Sequence, residues 1–158
     1  MGRWTSRTIT IPSQAGIGDV RQLGGGDGIA ITLKDDHSAL FDFGPMHPAT
    51  ASFGKSGQTG TLAVTMSGVT SGTWAVDPKG VVVVTPADFG TARASATLTL
   101  GATQPPIFDL TLQELNAQMM TGGRQLGVFT VSECKNNAMT VTSPFPNGDI
   151  TVTAVRHT

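Results

Sequence analysis

The sequence predicts an all-β protein, an antiparallel β-sandwich or barrel of about eight strands with one short α-helix. Three observations predict it. Short segments of alternating apolar and polar residues recur along the chain, the pattern of strands with one buried face. Gly, Pro, Asn and Asp separate them at hairpin spacing. Threonine outnumbers even the 20 glycines, and it is a residue that a pleated, half-exposed surface prefers.

The first 28 residues fit that pattern least. Thr8-Ile9-Thr10-Ile11 alternates before Pro12, and the stretch from Gln14 then thins into Gly24-Gly25-Gly26-Asp27-Gly28. Such a segment loses much entropy when fixed and has little side chain to bury. It reads either as a frayed terminus with a linker or as a flexible arm that orders against a neighbouring subunit. In the second reading Arg3, Trp4, Arg7, Ile9 and Ile11 make the contacts. The expected division is therefore an arm over 1–28 and a single β domain over 29–158.

Within that domain Ile29, Ile31 and Leu33 alternate with polar neighbours, and Ala39 to Phe43 runs back after Asp35-Asp36-His37-Ser38, a hairpin over 29–43. A polar, Gly-rich connection covers 47–60. Leu62, Val64 and Met66 then form a strand. Trp74-Ala75-Val76 and the valines from Val81 flank Asp77-Pro78-Lys79-Gly80, a turn with Pro second and Gly fourth. Four consecutive valines predict a strand covered on both faces. Ala94, Ala96, Leu98 and Leu100 mark the next strand. Thr111-Leu112-Gln113-Glu114 is a capping box that predicts a helix over 111–120, stopped by Gly122-Gly123. The remaining strands are 126–132, 138–142 and 150–155, the last two joined at Asn147-Gly148, a tight-turn pair.

At 158 residues the chain is one domain, long enough to bury a core without staples. Its 13% charged residues are half the roughly 25% of ordinary soluble domains, and the net charge is -1. Such a balance excludes a basic nucleic-acid surface. No apolar run of about 18 residues predicts a membrane span, and the N-terminus has no apolar signal-peptide core. Gly2 with Ser6 meets the loose myristoylation pattern, which so short a motif meets by chance. One cysteine, Cys134, allows no internal disulfide.

Motifs for chemistry are weak. Asp35, Asp36, His37 and His47 are the candidate metal ligands, but neighbours on a strand point to opposite faces, and a polar hairpin turn explains the first three. Cys134 has Lys135 beside it, a neighbour that lowers a thiol pKa, yet no His stands near in sequence. Most of the nine Asp sit in turns. The chain is expected to be non-enzymatic and to use no cofactor.

The stretch Ser67-Gly68-Val69-Thr70-Ser71-Gly72-Thr73-Trp74-Ala75-Val76-Asp77-Pro78-Lys79-Gly80-Val81-Val82-Val83-Val84-Thr85 resembles bacterial and phage immunoglobulin-like repeats, with a Trp, a short strand, a Gly turn and a Val-rich strand. It covers about a quarter of the chain and departs from those repeats at the helix and the Gly-rich N-terminus. In size, Thr/Gly/Ala richness and low charge the whole chain resembles small all-β virion proteins of tailed bacteriophages. That resemblance implies a capsid decoration (cement) protein, with a tail-tube subunit as alternative, assembled in the host cytoplasm into the virion. It also implies self-association as a trimer or hexamer, and contact with other virion proteins. Low charge points the same way, because faces with few ions and few Lys guards belong in interfaces. A function of another class is an adhesin-like or carbohydrate-binding module, which needs a cleft lined by Trp74, Phe and Asp.

Overall fold

The computed structural model describes residues 2–10, 19–55, 58–120, 129–135, 137–145 and 148–156. They form thirteen strands and one helix: β1 (Gly2–Thr10), β2 (Asp19–Gly24), β3 (Ala30–Leu33), β4 (Ser38–Asp42), β5 (Ala49–Lys55), β6 (Gln58–Ser67), β7 (Val69–Val76), β8 (Val82–Asp88), β9 (Arg93–Thr99), β10 (Pro106–Thr111), α1 (Leu112–Met120), β11 (Phe129–Lys135), β12 (Ala138–Phe145) and β13 (Gly148–Arg156). All described pairings are antiparallel. Eight strands close a barrel in the order β1-β13-β12-β11-β8-β7-β4-β3, and β3 pairs back onto β1. A second sheet runs β10-β9-β6-β5-β2.

Period-two alternation decides what fills the barrel. Trp4, Ser6 and Ile9 of β1 are buried while Arg3, Arg7, Thr8 and Thr10 are exposed; a bulge between Ser6 and Thr8 keeps Ile9 on the inner side. Phe41, Trp74, Met139 and Ala154 enter from other strands. Trp74 closes one end. Its Nε1–H donates to the Lys34 carbonyl at 2.8 Å, and the His37 ring lies 4.6 Å from its own ring. At the other end the apolar face of the second sheet (Leu62, Val64, Met66, Ala94 and Ala96) meets barrel residues such as Ile9 and Ile150.

Several local expectations hold. The 29–43 hairpin is β3 and β4. In the 77–80 turn Gly80 N–H donates to the Asp77 carbonyl, and Asp77 Oδ1 accepts from the amides of Lys79 and Val81. At the start of α1 the Glu114 amide donates to Thr111 Oγ1 at 3.1 Å, while Glu114 Oε2 accepts from the Thr111 amide and hydroxyl, each at 2.8 Å. Those two bonds from Thr111 hold the Glu114 carboxyl below its ordinary value. The Gly122-Gly123 stop, the Asn147-Gly148 junction and residues 126–128 of the expected strand fall wholly or partly outside the described residues.

The N-terminal expectation is overturned. Residues 2–10 are no arm: β1 is a barrel strand paired on both sides, and 19–24 form an edge strand of the second sheet. The domain therefore does not begin at residue 29. Nor are the glycines a linker. Ser6 shows why the chain must pass so close: its hydroxyl donates to the Gly26 carbonyl at 3.0 Å and accepts from the Ile29 amide at 2.8 Å, with Ser6 only 1% exposed. Gly28 has φ +98°, and a Cβ there would stand 2.2 Å from the Pro45 carbonyl oxygen. Gly28→Ala is expected to cost on the order of 3 kcal/mol, from left-handed strain plus overpacking. An unchanged denaturant midpoint in that variant would contradict the packing described.

The closed barrel has eight antiparallel strands, as the fold class expected, and the second sheet includes strands that the apolar alternation does not show. The connection over 47–60 holds β5, whose inner positions Ala49 and Ala51 are too small to read as an apolar alternation. Pro106 hid β10, yet Pro at the first residue suits an edge strand. In the valine strand β8 Val84 is buried and Val82, on the same side, packs against the core, whereas Val83 on the other side keeps partial exposure. Among the described residues, no helix is long and apolar enough to cross a membrane.

Candidate functional site

The candidate metal ligands do not converge. Asp36 Oδ1 accepts from the Ser38 amide and hydroxyl, closing the β3–β4 turn, and those two bonds lower its carboxyl pKa. His37, at φ 65°, turns its ring onto Trp74 and places Nδ1 3.3 Å from the Trp74 carbonyl oxygen. His47 lies beyond the opposite end of β4, with Nδ1 3.0 Å from Asp27 Oδ2. Five residues of extended strand hold the two ends about 16 Å apart. No group of three or more His, Cys, Asp or Glu side chains gathers among the described residues.

The arm contacts separate in the same way. Trp4 and Ile9 are inside the barrel, and Arg3 and Arg7 are exposed on its wall. Ile11 lies outside the described residues. Arg156 lies 5.8 Å above the Trp4 ring. With Trp4 and Trp74 both buried, neither offers a face for stacking on a sugar. Cys134 is exposed on β11, and the neighbouring Lys135 reaches Glu133 at 3.3 Å.

Two features emerge that no motif announces. The first is on the outer surface. Register places Thr10, Thr151, Thr142 and Thr130 side by side across β1, β13, β12 and β11. A second rank, Thr8, Thr153 and Thr140, ends on Glu133 of β11. None of the seven threonines is buried. Neighbours within a rank are about 4.8 Å apart, and the ranks are about 6.6 Å apart. The outward face of the second sheet repeats the theme with Thr99, Thr61 and Ser52 in register, then Thr97, Ala63 and Thr50, then Ser95 and Thr65. Arg93 and Asp109, paired at 3.0 Å, lie at the end of that face. The signal was present in the sequence as Thr-x-Thr repeats (140–142, 151–153, 59–61, 97–99), but only pairing register shows that they align.

The second feature is internal. A cavity of about 250 Å³ lies where the second sheet meets the barrel. Five of the seven phenylalanines line it (Phe41, Phe43, Phe89, Phe108 and Phe129). Phe41 and Phe129 stack at 4.5 Å. The only polar side chains among the described lining residues are Thr70, Ser71 and Ser143, and the Thr70 hydroxyl is engaged by the Asp88 carbonyl at 2.6 Å. Interiors rarely keep voids of such a size.

Against protein-family models, curated proteins and solved structures, the chain shows no match.

Proposed function

We propose that the chain is a non-enzymatic structural subunit of a virus particle, a bacteriophage capsid decoration protein that works through contact area. The observation that supports this reading is the pair of outward faces ranked with threonine, whose charged neighbours in register, Glu133, Arg21 and Asp109, stand at the ends of the ranks. A neutral hydroxyl face docks without stripping water from ions, and its hydroxyls regain partners across the interface. With 13% charged residues there is little else to keep such faces apart. Two different faces on one subunit favour head-to-tail contacts, which close into a ring such as a trimer or hexamer. The short helix beside a closed barrel favours a tail-tube subunit as the second reading, and growth into long tubes instead of rings distinguishes it.

Replacing Thr142 and Thr153 together by Lys sets two ammonium groups on the barrel ranks. In a head-to-tail contact those ammonium groups are desolvated against the hydroxyl face of a neighbour with no counter-charge beside them, so association is expected to weaken about a hundredfold or more. The exposed Thr91→Lys, in the turn between β8 and β9, serves as control and is expected to associate as the parent does. Sedimentation velocity reads both. A folded double variant that associates as strongly as the parent would remove the support.

A further inference from the structure

We propose that the cavity between barrel and second sheet is a binding site for a small uncharged aromatic or hydrocarbon molecule of about ten heavy atoms. Its size sets the bound: an apolar cavity of about 150 Å³ takes up benzene, so about 250 Å³ takes roughly ten atoms at the same volume per atom. Its chemistry sets the class. Five phenylalanine rings offer faces and edges to a flat ring. Met46 and Met66 add thioethers that adapt to an irregular outline. No charged side chain is among the described lining residues, so an ionised group entering here meets no counter-charge. The ligand also has a way in. Ile107 of β10 lines the cavity and is 54% exposed, so the cavity reaches solvent beside that edge strand. Eight-stranded barrels are of the size that holds one small ligand, and here the second sheet roofs the mouth.

This inference stands apart from the assembly reading, since it uses the inner face of the second sheet and the other uses the outer. Naphthalene, neutral and of ten carbons, is the probe, and 2-naphthoate is its charged counterpart. The full chain is titrated with each while melting temperature and methyl NMR shifts are followed. Naphthalene is expected to raise the melting temperature with concentration and to shift the methyls of Ile29, Met66 and Val84; 2-naphthoate is expected to bind at least tenfold more weakly. Ala96→Leu, which extends a buried side chain into the cavity, is expected to weaken naphthalene binding at least tenfold. Ala94→Val is the smaller step if that variant does not fold. Ala87→Leu, on the exposed side of β8, is expected to bind as the parent does. Absence of any shift up to the solubility of naphthalene would overturn the proposal, as would unweakened binding in a folded cavity-filling variant. Equal binding of 2-naphthoate would overturn the assignment to uncharged ligands.

Discussion

Deleting residues 1–10 is expected to unfold the domain. Trp4 and Ile9 leave the barrel interior with the deleted strand, and truncations of such side chains cost about 3–5 and 2–5 kcal/mol. Their sum, about 5–10 kcal/mol, is comparable to the whole stability of a typical domain, about 5–15 kcal/mol. Further losses come from Ser6, which satisfies the Ile29 amide and the Gly26 carbonyl, and from the pairings that leave β3 and β13 as open edges. Circular dichroism and a denaturant titration check it. A detachable arm behaves differently: the truncated chain would keep its β signal and a cooperative transition, and that result would contradict β1 as a barrel strand.

Trp74→Ala is expected to cost about 4–6 kcal/mol, from a truncated buried indole plus the Lys34 carbonyl left without its donor. For a chain of this length that lowers the melting temperature by on the order of 10 °C or more. Trp74→Phe separates the two contributions. It keeps most of the ring volume and loses only the Nε1–H bond, so about 1–2 kcal/mol is expected. Equilibrium denaturation with an unchanged slope reads both. A Trp74→Ala midpoint equal to that of the parent would contradict the closed end of the barrel.

What the residues made legible was local. The capping box at Thr111 and Glu114, the Asp77–Gly80 turn and the 29–43 hairpin each depend on a few adjacent positions, and each is present as expected. What stayed hidden depends on distant partners. The glycines at 24–28 look alike whether they link or pack; only Pro45 and Pro48, some twenty residues on, turn them into a tight crossing. Ser6 read as half of a lipidation pattern, yet its hydroxyl pins the Gly26–Ile29 crossing to β1. Ala49 and Ala51 are buried yet small, and smallness carries no strand signal by itself. The threonine ranks follow the same logic. Thr151 and Thr153 are visible as a repeat, while their alignment with Thr142, Thr140, Thr10 and Thr8 is a property of register.

Assembly through those neutral faces is the central claim, and absolute mass in solution tests it most directly. Light scattering on a size-exclusion column, over a wide range of loading concentrations, is predicted to show a discrete closed oligomer, a trimer or hexamer, whose share grows with concentration. A monomer at every concentration would contradict it.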